Sequence, residues 1–207
     1  MPRITDIEAQ KRRDGRVSVS LDDEFWTGMP AALAGELNLK IGQEITLHRK
    51  KEIESQVSEE AAMGSAGNLL SYRDRSVSEM SKRLAEKGFG EDIIKETIDR
   101  LLGYGYLDDE RFARDLAIVQ IERGKGKRAA QSALYKAGLD NELINQALQE
   151  VYGGEGIELE AAIDFLQRKK LPETPADRQR LLRNLAGRGF SFDIAKEAIS
   201  QWESAED

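Results

Sequence analysis

Three stretches of this chain lie over one another without gaps: LAEKGFGEDIIKETIDRLL from Leu84, LYKAGLDNELINQALQEVY from Leu134 and LAGRGFSFDIAKEAISQWE from Leu185. The offsets are 50 and 51 residues. Self-similarity at such a period marks a repeat architecture, because each unit buries its apolar face only by stacking on a neighbour. The shared columns are Leu84/Leu134/Leu185, Gly88/Gly138/Gly189, Phe89/Leu139/Phe190, Ile93/Leu143/Ile194, Ile98/Leu148/Ile199 and Leu101/Val151/Trp202. The glycine stands where a helix must stop in a left-handed conformation. Gly90, Asp140 and Ser191 then fall at the N-cap of the next helix, where Asp and Ser cap with a side-chain oxygen. Ile93, Thr97, Ile98 and Leu101 have the spacing of one buried stripe.

Each unit also has an earlier helix: EEAAMGSAGNLLSYR in the first, DDERFARDLAIVQIER in the second and IELEAAIDFLQRKK in the third. Ser76 with Glu79 spells a capping box for the middle helix of the first unit, and Asp177 is the expected equivalent cap in the third. The third unit carries an insertion, LPETPA. The expected fold is mainly α, a tandem repeat of three three-helix units forming an elongated curved array behind a small β-rich N-terminal module. The expected boundaries are 1–57 for that module and 58–104, 105–154 and 155–207 for the repeats, with helical pattern beginning near residue 58. In the module, ITDIEAQ and RVSVSL read as strands joined by the turn KRRDGR, with Asp14-Gly15 as the hairpin signal. A short helix is expected near 31–37, and IGQEITLHR reads as a further short strand.

The chain is poorly supplied for catalysis. It has no cysteine and one histidine, His48, so thiolate chemistry and Cys- or His-rich metal sites are excluded. His48 reads as a solvated surface residue. The run RGKGKRA lacks the spacing of a phosphate-cradling P-loop. The stretch LLGYGYLDDERFAR places Asp108, Asp109 and Glu110 together, as a metal or acid/base site would. The same residues serve equally as the N-cap and first turn of a helix, with Leu107 and Phe112 at hydrophobic-staple spacing. Every residue there has a structural task, so the stretch reads as a joint between units, and no cofactor, metal or catalytic residue is expected. Tyr104, Phe112, Phe89, Phe190 and Trp202 read as core or joint residues, and Phe25-Trp26 as packing against the first helical unit.

The net charge of −7 argues against a high-affinity nucleic-acid binder held by uniform positive potential. No apolar run approaches the length of a membrane span, and MPRITDIEAQ lacks a signal-peptide core. A cytoplasmic protein, with no membrane partner, is expected. Local basic patches do occur. Arg73 and Arg75, then Arg123, Lys125, Lys127 and Arg128, then Arg168, Lys169 and Lys170 all fall at the junction of the first and second helices of a unit. If stacking is regular, these junctions line one edge of the array and form a partner-binding surface. The bland alternative is that cations at helix C-termini complement the dipole.

GYLDDERFA (Gly105–Ala113), preceded by RDRSVSEMSKRLAEKGF and followed by RGKGKRAAQSALYKAGL, resembles the RecX family of bacterial regulatory proteins, which modulate the recombinase RecA. The resemblance covers about residues 66–203, and ITDIEAQKR is similar to the N-terminal extension of some members. It implies tandem three-helix repeats, binding to RecA filaments on single-stranded DNA, and inhibition of the recombinase, ATPase and co-protease activities by a monomer that is not an enzyme. The acidic balance sets this chain apart from members with a basic surface. The alternative is a helical-repeat protein that binds DNA directly.

Overall fold

The computed structural model describes residues 1–11 and 14–206, apart from the side chain of residue 206. Arg12 and Arg13, within the KRRDGR turn, and Asp207 lie outside the described residues. The order is β1 (Ile4–Ala9), β2 (Arg16–Leu21), β3 (Glu24–Pro30), then α1 (Ala31–Glu36), α2 (Leu47–Leu70), α3 (Val77–Glu86), α4 (Glu91–Gly103), α5 (Asp109–Glu122), α6 (Lys127–Lys136), α7 (Asn141–Tyr152), α8 (Ile157–Leu166), α9 (Pro175–Gly187) and α10 (Phe192–Glu206). Contacts divide the chain into two compact units, one of residues 1–72 with 83–100, the other of residues 73–82 with 101–207.

In the first unit the three strands form an antiparallel sheet in chain order. Val17 opposes Met29 and Val19 opposes Ile7 and Thr27, so alternate β2 residues reach one face. Ile4, Val19, Met29, Ile45 and Ile53 are buried there. The expected hairpin of β1 and β2 is present, with Gly15 at φ +75°. The further strand is not where IGQEITLHR suggested. The third strand is Glu24–Pro30, whereas residues 41–46 supply one bridge, Arg3 to Glu44, before α2 begins at Leu47. The cause is local. Asp22 and Asp23 adopt φ of +49° and +69°, making a tight turn that contains no glycine. The hydroxyl of Thr46 accepts from the Arg49 N–H, starting α2 well before residue 58. His48 is therefore helical rather than at a strand end, exposed, and 3.1 Å from Glu52. Trp26 packs on the N-terminal core and the start of α2, with Nε1 donating to Glu54 at 2.8 Å, short of the 58–104 unit it was expected to meet, and Phe25 beside it is 68% exposed.

The repeat columns form the structure they imply. Gly88, Gly138 and Gly189 stand at φ of +89°, +78° and +92°. The following Phe89, Leu139 and Phe190 N–H groups reach back to the Leu84, Leu134 and Leu185 carbonyls, the six-to-one bond of a Schellman ending. Asp140 caps α7 at Leu143, and Ser191 accepts from Ile194. The second repeat packs Ala117, Leu134, Ile144 and Leu148 into one core, and the third packs Leu166, Leu185, Phe190 and Trp202 into another. All strands among the described residues precede Ala31. Two expectations change. Thr174 is the N-cap of α9, accepting from the Asp177 N–H, because Pro175 starts the helix three residues earlier and moves Asp177 inside the first turn. Tyr104 is 62% exposed rather than in the core and meets Tyr106 edge to face at 6.0 Å.

Candidate functional site

The second compact unit contains all three basic junctions. It also shows how one repeat holds the next. In α3 the first-turn Val77 N–H donates to Asp109 Oδ1 at 2.8 Å, and the Ser76 hydroxyl donates to the Ala137 carbonyl at 2.5 Å. One repeat later the equivalent residues do the equivalent things. The Lys127 N–H donates to Glu158 Oε1 at 2.9 Å, and the Gly126 N–H donates to the Arg188 carbonyl at 3.0 Å. A first-turn acid of each following repeat thus caps the middle helix of the repeat before it. The orphan N–H groups of that helix start, which would otherwise need water, are satisfied across the joint.

The carboxylate cluster divides along these lines. Asp108 caps its own helix, accepting from the Arg111 N–H at 2.9 Å, and Leu107 before it is 2% exposed. Asp109 caps α3 instead. Burial holds its carboxyl above the usual range, the Val77 N–H works against this, and the negative charges of Asp108 and Asp140 add to it. Glu110 is exposed.

The cations differ in how far they are engaged. Arg73 is gripped by Glu79 through two bonds of 2.8 and 2.9 Å. That contact raises the guanidinium pKa and lowers the Glu79 carboxyl, which the Arg75 charge and the Ser76 N–H also hold down. Arg75 is half-buried beside them. Arg123 caps α5 and is exposed. Lys125 is half-buried, and its carbonyl accepts from the Tyr152 hydroxyl at 3.0 Å. Lys127 and Arg128 are exposed, but they lie in the first turn of α6 rather than beyond a helix end. Arg168, Lys169 and Lys170 follow α8 and are exposed. Residues 73–76 sit against Ala137, at the far end of α6 from Lys127. A ten-residue helix is about 15 Å long, so Arg73 and Arg75 are separated from the other two groups.

What brings those two groups together is Arg188, which the sequence reading passed over. Its guanidinium donates to the Arg123 and Gly124 carbonyls at 3.0 and 3.1 Å and stacks on Phe165 at 4.0 Å. Lys169 lies 5.0 Å from the same ring. Here α5 and α8 enclose a cleft of about 470 Å³ with Arg123, Arg168, Lys169 and Arg188 on its walls. Arg188 shares a column with Lys87 and Ala137, two cations and a small residue in all, so the repeat alignment carries no signal that sets it apart.

Comparisons with known proteins agree along the length of the chain. Four family descriptions match: regulatory protein RecX N-terminal domain over residues 2–46, and the RecX first, second and third three-helix domains over 62–101, 108–148 and 157–199. The regulatory protein RecX of Bacillus subtilis is 34% identical over 215 residues, spanning 100% of this chain and 80% of the relative. That of Clostridioides difficile is 30% identical over 204 residues, spanning 96% and 94%. A crystal structure of a regulatory protein RecX superposes with a TM-score of 0.68 at 23% identity, over 97% of this chain and 100% of that one. From the N-terminal sheet to the last three-helix repeat, this chain belongs to the RecX family.

Proposed function

We propose that this protein binds RecA filaments on single-stranded DNA and inhibits their recombinase, ATPase and co-protease activities, acting in the cytoplasm as a monomeric regulator and not as an enzyme. The contact is assigned to Arg123, Lys125, Lys127, Arg128, Arg168, Lys169 and Lys170. Arg73 and Arg75 contribute less, because Arg73 is already held by Glu79.

The observation that carries this reading is the location of Lys127 and Arg128. The positive end of a helix dipole disfavours cations by about 0.3–1 kcal/mol each. The first turn of α6 nevertheless holds two cations and no acid of its own, and the Glu158 carboxylate that reaches it from the following repeat is taken up by the Lys127 N–H. Dipole compensation, the bland explanation for charged helix ends, has the wrong sign here. A partner that supplies negative charge accounts for them. Family membership supports a regulatory role, since the relatives carry the name regulatory protein RecX, and the resemblance of GYLDDERFA and its flanks implies the RecA filament as the partner.

The test is RecA's DNA-dependent ATPase titrated with this protein. Dose-dependent inhibition is expected, with no hydrolysis by the protein alone. An unaffected ATPase, together with salt-sensitive DNA binding in the absence of RecA, would replace this reading with direct DNA binding.

A further inference from the structure

The α5–α8 cleft has a charge pattern that discriminates between the components of a nucleoprotein filament. Three exposed cations line it, Arg123, Arg168 and Lys169, together with three exposed carboxylates, Glu122, Glu160 and Asp164. None of the six forms an ion pair with a described residue, although Asp164 and Arg168 are four residues apart and within reach. Arg188 is spent on the Arg123 and Gly124 carbonyls and on Phe165. Ile121, Ile157, Ala161 and Phe165 give the cleft an apolar floor.

A nucleic-acid backbone presents charge of one sign at short intervals, and a groove that follows it must be positive throughout. Carboxylates interleaved with the cations would offset most of the attraction that the cations exert on it. A protein segment suits the opposite requirement. An acidic side chain meets Arg168 or Lys169, a basic one meets Glu160 or Asp164, and an apolar residue between them covers Phe165. Pairing of this kind selects one partner and register more than it adds raw affinity. Resting on the filament reading above, we propose that the α5–α8 cleft docks a short segment of the filament's protein subunit carrying both charges, and not the DNA.

The experiment uses the full chain in three forms: wild type, Glu160→Lys with Asp164→Lys, and Arg168→Glu with Lys169→Glu. All four positions are exposed, so thermal melting is expected to be unchanged. Binding is read by cosedimentation with RecA filaments assembled on poly(dT), and DNA binding by anisotropy of a labelled oligo(dT) without RecA. Both double variants should lose filament affinity by at least about tenfold, because each places like charges across the interface. The acid-to-lysine variant should lose it even while binding free oligo(dT) at least as well as wild type. If that variant sediments with filaments more strongly than wild type, the cleft faces phosphate and the proposal fails. Unchanged sedimentation of both variants also refutes it, while leaving the filament reading intact. Wild-type protein that does not sediment with filaments overturns both.

Discussion

Asp109 and Glu79 carry opposite pH signatures within one joint. Burial raises the Asp109 carboxyl, so its contribution to stability is present below the unfolded value of about 3.9 and is lost as pH rises through the folded one. The Arg73 hydrogen bonds lower Glu79, so its contribution is present above its unfolded value of about 4.3 and is lost as pH falls through the folded one. What Asp109 supplies at neutral pH is an acceptor for Val77, and an amide oxygen can do the same. Asp109→Asn is therefore expected to melt at or above wild type at pH 7, with the gain shrinking toward pH 4. Asp109→Ala should lose the stability of an N-cap, about 0.5–2 kcal/mol. Equal destabilisation by both in urea titrations would show that the charge, and not the acceptor, is what matters. The cap at Asp108 was legible from five consecutive residues. The role of Asp109 was not, because its partner Val77 lies 32 residues earlier and only the stacking of repeats brings them together.

At the scale of elements, three glycines of one sequence column do different amounts of work. A methyl at Gly88 would enter open space and pay only for its left-handed backbone. A methyl at Gly189 would pay the same and also collide with the backbone of Ala129, on the neighbouring repeat. Gly126 reciprocates, since a methyl there would strike the backbone at Gly189 and Phe190. Gly189→Ala should therefore destabilise more than Gly88→Ala by roughly the 1–3 kcal/mol of an overpacked contact, measured by chemical denaturation. Equal losses would mean that the joint has slack. The helix endings were legible because a Schellman glycine needs only its own turn. The close approach was not, because period and column say nothing of distance between units. β3 escaped for a similar reason: its turn uses Asp22-Asp23 in left-handed conformations that the sequence signals with no glycine. The start of α2 was missed because Thr46 caps it in the middle of a segment where Ile45 and Leu47 alternate with polar residues as in a strand.

For the molecule as a whole, the proposed function requires a chain of net charge −7 to approach a filament whose DNA is a polyanion. Beyond a Debye length of about 10 Å at 0.1 M salt that repulsion is screened, and encounter depends on the local field of the basic loop. Lys127 and Arg128 are exposed and Lys125 is half-buried, while the loop's structural bonds are made by backbone groups: the Gly126 and Arg128 N–H groups donate to Arg188 and Gly189, and the Lys127 N–H to Glu158. Changing all three side chains to Glu keeps those backbone groups, and the gain from acids at the start of α6 is offset by repulsion from Glu158, which already caps it. The triple variant should accordingly melt close to wild type. Its inhibition of the RecA ATPase should nevertheless require about tenfold more protein at low salt, with the gap narrowing as salt rises, since exposed charges act chiefly on association rate and salt dependence. If the folded variant inhibits as wild type does at low salt, these cations serve only the solvated surface of α6. The contact would then fall to Arg168, Lys169 and Lys170, where the charge reversals in the α5–α8 cleft probe it independently.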